Sequence, residues 1–145
     1  MHVPIQVDYG IRALVDLVQN RSEENTPVRT AAIAERQAIP EPFLARVMLF
    51  MRNGGMVQSL RGPQGGHRLA MDPSEITMAM VMDTLGGTSP LLACLDDQET
   101  CNKWSGCSQK EVWSVVEQAM RQVLESTSIK DLADRMAPEP IAATA

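Results

Sequence analysis

Apolar residues along this 145-residue chain recur first at helical spacing, then in two short strand-like runs, then at helical spacing again. Ile11, Leu14, Val15 and Val18 lie at i, i+3, i+4 and i+7, which predicts an amphipathic helix from Gln6 to about Asn20. The polar stretch from Arg21 to Pro27 ends it. Thr30 is placed to cap a second helix, Ala31 to Gln37, which Ile39-Pro40 closes. Pro40-Glu41-Pro42 suits the first turn of a third helix. Its stripe is Leu44, Val47, Met48 and Met51, and Gly54-Gly55 stops it. Two short helices across a tight turn, the second bearing Arg46 and Arg52, predict a helix-turn-helix.

The pattern then changes period. Met56 to Arg61 and His67 to Met71 read as paired strands around the turn Gly62-Pro63-Gln64-Gly65-Gly66. A hairpin with Arg61 before its tip and His67-Arg68 after it, directly behind a recognition-type helix, has the form of a wing. Its glycines would permit close approach to a phosphate or a minor groove. Asp72-Pro73-Ser74-Glu75 predicts a helix start, with Gly86-Gly87 as the stop near Leu85. A longer helix opens at Ser108, with Val112, Val115, Val116, Ala119, Met120, Val123 and Leu124 on one stripe and a Glu117–Arg121 pair on its wet face. That stripe must be covered. A second subunit is the economical partner, with Val112, Val116, Ala119, Met120 and Val123 as the interface, and packing on its own domain the alternative. Ser128 to Arg135 adds a short capped helix, and residues 137–145 read as a loose tail.

Charge sharpens this picture. The net charge is −5, yet residues 29–68 hold six Arg against two Glu, while the flanks are acidic. A basic middle is the footprint of a local polyanion site. A solvated charged face is the alternative, but arginine is the cation best suited to phosphate and guanine. The chain has 44% hydrophobic residues and ten methionines, which fit an ordinary core, and its longest apolar runs are too short to span a membrane. No nucleophile–base pair or phosphate-cradling motif is visible, so catalysis and a small organic substrate are not expected.

The three cysteines, Cys94, Cys101 and Cys107, share one polar loop. An odd count, and a first stretch with no charged-then-apolar leader, speak against a secreted disulfide framework and for a reducing cytoplasm. The loop lacks the tight Cys-x-x-Cys knuckle of zinc ribbons, and the only histidines are His2 and His67. Thiolates spread over an irregular loop suit an iron–sulfur cluster. Free thiols, or a regulatory disulfide between two of them, remain the alternative on the loop alone.

With these motifs in place the chain resembles the Rrf-type winged-helix regulators of bacteria, which include an iron–sulfur cluster regulator, a nitric-oxide-sensitive repressor and a rhizobial iron regulator. The resemblance runs from Asp8 to about Arg135. It rests on Asp8-Tyr9-Gly10-Ile11-Arg12-Ala13-Leu14, Asn53-Gly54-Gly55-Met56-Val57, Arg61-Gly62-Pro63-Gln64-Gly65-Gly66-His67-Arg68-Leu69 and the cysteine loop. It implies a homodimer on a palindromic operator in double-stranded promoter DNA, tuned by a cluster on Cys94, Cys101 and Cys107; [4Fe-4S] is favoured and [2Fe-2S] is the other option. A histidine ligand of the cluster regulator falls at Lys110 here. Asp8 matches an aspartate of the nitric-oxide-sensitive branch that reaches the cluster of the other subunit, and this places the chain closest to that branch. A glutamate of the cluster regulator's recognition helix is replaced by Ala45.

The expected protein is therefore mainly helical: a winged helix-turn-helix (residues 1–88), a cluster loop (89–108), a dimerisation helix with a short C-terminal helix (109–136) and a tail (137–145). Arg29, Thr30, Pro42, Arg46, Arg52, Arg61, Gly65, Gly66, His67 and Arg68 form the expected DNA-contacting set. The expected function is a cytoplasmic repressor or regulator sensing nitric oxide, redox state or iron supply. The alternatives are a cluster-free thiol switch of the same fold and, further off, an iron–sulfur electron carrier.

Overall fold

The computed structural model describes residues 2–86 and 89–135. Three helices, α1 (Ile5–Gln19), α2 (Thr30–Gln37) and α3 (Glu41–Asn53), pack on one another through Leu14, Ile33, Leu44, Met48 and Met51, all fully buried. The apolar stripes read from the sequence are the ones that close this core. Pro40 and Pro42 start α3 as expected. The turn between α2 and α3 holds a surprise: it uses Ala38 in the left-handed conformation, φ 51°, where no glycine marked it.

Strands β1 (Val57–Leu60) and β2 (Gly66–Leu69) form the antiparallel wing, with Val57 opposite Leu69 and Leu60 opposite Gly66. The wing is anchored on its inner side. The Val28 N–H donates to the His67 carbonyl at 2.8 Å, and the His67 N–H donates to the Val28 carbonyl at 2.7 Å. This seats the hairpin against the start of α2.

The segment expected to open the next helix does something else. Asp72 accepts hydrogen bonds from the backbone and hydroxyl of Ser74, at 2.8 and 2.6 Å, and makes a local turn. Residues 76–77 are then extended, because Ile76 accepts from the Ile129 N–H (2.8 Å) and the Met78 N–H donates to the Thr127 carbonyl (2.9 Å). Helix α4 (Met78–Thr84) begins only after Thr77, whose hydroxyl caps it. Asp-Pro-Ser-Glu has the composition of both a turn and a helix start, and the pairing of Ile76 with Ile129 decides between them. Gly87 and the tail at 137–145 lie outside the described residues.

Beyond α4 the chain passes through a single helical turn, α5 (Ala93–Asp96), and two 3-10 turns before α6 (Lys110–Ser126) and α7 (Ile129–Arg135). Helix α7 folds back against α1 and buries Ile129 and Ala133 in the core of the winged domain. Helix α6 is packed differently from α7. It touches α4 and buries none of its own residues completely. The expected Glu117–Arg121 pair is replaced by a tether. The Arg121 guanidinium donates to both carboxylate oxygens of Asp83 on α4 (2.7 and 2.9 Å) and to Glu125 (2.7 Å). These carboxylates raise its already high pKa.

Candidate nucleic-acid interface and cysteine loop

The residues expected to contact DNA lie on the start of α2, the outer face of α3 and the wing. Pro42, Arg46 and Arg52 are exposed on α3, and Arg61 is exposed at the wing tip. Arg68 is half-buried and donates to Gln58 across the hairpin at 3.0 Å, which aims it from β2. Arg29 donates to the Pro63 carbonyl and so joins the α2 entry to the tip.

Two members of the expected DNA-contacting set are engaged internally. His67 has one ring nitrogen 2.7 Å from the Thr30 hydroxyl and the other 2.8 Å from the Ser59 hydroxyl. Burial, and then the charge of Arg52, hold its pKa below the ordinary value. Thr30 is thus the first residue of α2 rather than its cap, and its hydroxyl helps pin the wing. Ser59, not singled out from the sequence, completes the clamp. It lies directly opposite His67 in the register, which is the signal that could have found it. The glycines have a matching role. A Cβ on Gly66 would fall 2.4 Å from the Val28 carbonyl oxygen, and one on Gly65 would fall 2.2 Å from that of Leu60. Their close approach is to the protein's own backbone.

The basic count also needs correction. Arg36 donates to both oxygens of Asp16 at 2.9 and 2.7 Å, and Gln37 adds a third bond at 3.0 Å. Asp16 is 1% exposed. Arg36 is therefore a strut between α1 and α2, not a free phosphate ligand, and Asp16 raises its pKa further. Asp16 sits between Val15 and Leu17 in an apolar run, which signals a buried carboxylate in need of a donor.

Cys94, Cys101 and Cys107 are half-buried and free of disulfides. In kind they fit an iron–sulfur cluster: three thiols on an irregular loop with no competing histidine. In position they are separate. Among the described residues no three His, Cys, Asp or Glu side chains converge as a metal site. Lys110 closes the loop onto α6; its ammonium donates to the Trp104 carbonyl at 3.0 Å and stands 4.7 Å from the centre of that indole ring. Asp8 is on α1, accepts from Arg12 at 3.2 Å and is not gathered with the cysteines. Arg12 also donates to the Gln37 carbonyl.

The expected interface residues lie on the open side of α6. Val112 and Val123 are each 62% exposed, Val116 and Ala119 are exposed, and Met120 is half-buried. Beside them runs an apolar groove lined by Val3, Val7 and Ile11 of the N-terminal segment, Met78 and Met82 of α4, and Leu124. No helix among the described residues is long and apolar enough to cross a membrane.

A helix-turn-helix with a basic wing is a DNA-reading module, and the class it defines is the DNA-binding transcription regulator. The family profile described as "Rrf2: Iron-dependent Transcriptional regulator" matches residues 4–135, and the chain belongs to the Rrf2 family. CymR of Bacillus subtilis is 29% identical over 133 residues, covering 92% of this chain and 90% of CymR. IscR of Aliivibrio salmonicida is 30% identical over 124 residues, covering 86% of this chain and 72% of IscR. Among solved structures, CymR, the global cysteine regulator of B. subtilis, superposes with a TM-score of 0.79 at 26% identity, covering 94% of this chain and 99% of CymR. IscR of T. potens superposes at 0.73 with 30% identity, covering 94% of this chain and 93% of IscR. These relatives are transcription regulators, and this chain is a regulator rather than an enzyme. They do not single out the nitric-oxide-sensitive branch expected from the Asp8 run.

Proposed function

We propose that this protein acts as a cytoplasmic homodimer whose grip on a palindromic operator is set by the state of its cysteine loop. In this reading Cys94, Cys101 and Cys107, with Asp8 of the partner subunit, hold an iron–sulfur cluster. The observation that carries it is placement: the chain's three cysteines, each half-buried and unpaired, occupy the segment joining α4 of the winged domain to the uncovered helix α6. When bound, such a cluster supplies an inorganic core reactive toward nitric oxide and oxidants. The protein's share is mechanical. Lys110 fastens Trp104 to the first turn of α6, and the Arg121–Asp83 tether fastens α6 to α4. A change in the loop's fold therefore acts on the angle between α6 and the DNA-reading domain. With α6 paired to a second copy, that angle sets the spacing of two recognition helices. Coupling on the usual scale of about 1–3 kcal/mol alters operator affinity roughly 5- to 150-fold.

Asp8 must leave Arg12 to serve as a ligand, and its oxygen would bind iron less firmly than a thiolate. Three free thiols with no converged ligand set among the described residues leave one second reading, a thiol switch in which an oxidant joins two of the cysteines as a disulfide without iron. Anaerobic purification followed by a visible spectrum and iron and sulfide assays separates the two. Bound iron and sulfide, with operator affinity changed by nitric oxide, is the expected result. Colourless protein whose affinity responds only to oxidant and reductant would establish the thiol switch instead.

A further inference from the structure

The outward face of α3 is poor in hydrogen-bonding groups. Leu44, Val47, Met48 and Met51 point into the core. At 3.6 residues per turn, Pro42, Phe43, Ala45, Arg46, Leu49 and Phe50 then share an arc of about 160° on the opposite side. Phe43 is 58% exposed, and Leu49 and Phe50 are 45% exposed each. A single exposed apolar side chain is ordinary, but three large ones grouped on one helix face mark a binding surface.

Charge identifies what covers it. Arg46 stands within the arc, Arg52 flanks it, and Arg68 of the wing shares a groove with Arg52. Glu41, the acid of the first turn, lies off the arc. An arginine set between apolar side chains, with further arginines beside them, on the second helix of a helix-turn-helix, fits the major groove of duplex DNA. In that groove, hydrogen-bonding base edges are read by amides, carboxylates and guanidinium groups. An apolar side chain finds one apolar partner there, the C5 methyl of thymine.

We infer that α3 reads its operator chiefly through thymine methyl groups packed against Phe43, Leu49 and Phe50, with Arg46 supplying the main hydrogen-bonded contact, to guanine. The inference rests on the DNA-binding reading and gives it a sequence class: half-sites rich in T·A pairs around a guanine. It is independent of what the cysteines hold.

The test uses the full chain. Duplexes retained from a random pool are resynthesised with deoxyuridine replacing thymine at each half-site position, which deletes only the methyl. Each contacted methyl should cost about 4-fold in affinity, the value of one buried CH2 group. That sensitivity should disappear at the matching position in Phe43→Ala, and at another in the Leu49→Gln/Phe50→Gln double variant. All three side chains are exposed, so thermal unfolding should be unchanged in these variants. Equal affinity for thymine and uracil duplexes overturns the inference while leaving DNA binding intact. A pool from which nothing is retained overturns DNA binding and this inference together. If the double variant instead lowers the solution mass and binds the operator as before, the patch is a protein–protein surface and the inference is wrong.

Discussion

Asp16 is held by three hydrogen bonds from Arg36 and Gln37 in a site that water barely reaches. Removing one partner of such a group costs more than the net strength of the bond, because the carboxylate is left buried without its counter-charge. Arg36 is itself 39% exposed, so water can replace part of what is lost. Arg36→Ala is expected to lower unfolding stability by about 2–3 kcal/mol in urea titration. It should leave the salt dependence of DNA binding unchanged, whereas Arg68→Ala should weaken binding to all sequences and reduce that slope by about 1. Arg46→Ala, by contrast, should relax sequence preference. Equal behaviour of the Arg46 and Arg68 variants in competition binding would undo this division of labour. A second expectation concerns His67, whose pKa is lowered by burial and by Arg52. As pH falls below about 6.5 the unfolded chain takes up this proton before the folded one does, so stability rises with pH across that window. It is complete above about 6.5 and is lost toward the lowered folded value. Urea midpoints between about pH 7.5 and 5.5 should show this slope, and His67→Gln should remove it. These residues also mark where the sequence was silent. Arg36 and Arg68 look alike in a charge count, and only the packing of α2 on α1 commits one of them to a buried carboxylate.

At the level of elements, the chain was most legible where one local signal had one meaning. The stripe of α3, its proline-rich start and its glycine stop were readable, and so was the wing, because glycines and flanking arginines mark its turn. Legibility failed where distant segments arbitrate. Asp72-Pro73-Ser74-Glu75 became a turn because Ile76 is paired with Ile129, more than fifty residues on in the sequence. Gln109 precedes α6 where Ser108 had been expected to start it, and Ala38 takes the left-handed turn with no sequence mark. The wing's docking supplies a prediction at this scale. Gly66 adopts φ +151°, and a Cβ added to it would fall 2.4 Å from the Val28 carbonyl oxygen. Gly66→Ala therefore cannot keep both the hairpin and its bridge to α2. It is expected to cost about 1–3 kcal/mol in thermal or urea unfolding, the usual range for a forced backbone conformation. It should also weaken binding to specific and non-specific duplexes alike, since it displaces Arg61 and Arg68 without touching α3. A Gly66→Ala protein with wild-type stability and affinity would show that the bridge contributes little.

For the molecule as a whole, the telling contrast is between α6 and α7. The shorter helix buries Ile129 and Ala133 in the core, while the longer one leaves Val112, Val115 and Val123 more than 60% exposed beside an apolar groove. A 17-residue helix fastened to its own domain mainly at α4 and the cysteine loop is organised to be covered by something else. A second copy offers a matching face by symmetry, since an isologous contact sets the same stripe against itself. Glutamate introduced on that face tests the pairing without disturbing the monomer, because these positions are open in the single chain. Val116→Glu and Val123→Glu should each fold normally by circular dichroism. An isologous pair carries the substitution twice, and roughly 2 kcal/mol for each buried carboxylate already corresponds to about 1,000-fold in the dimer dissociation constant. Light scattering should then report the mass of one chain for the variants and twice that for the wild type. Operator binding should fall with it, because one recognition helix on one half-site forgoes the contacts of the second. A wild-type protein that already has the mass of one chain, or a glutamate variant that keeps the doubled mass, would assign the exposed stripe of α6 to another partner. The spacing argument for the cysteine loop would fall with that result.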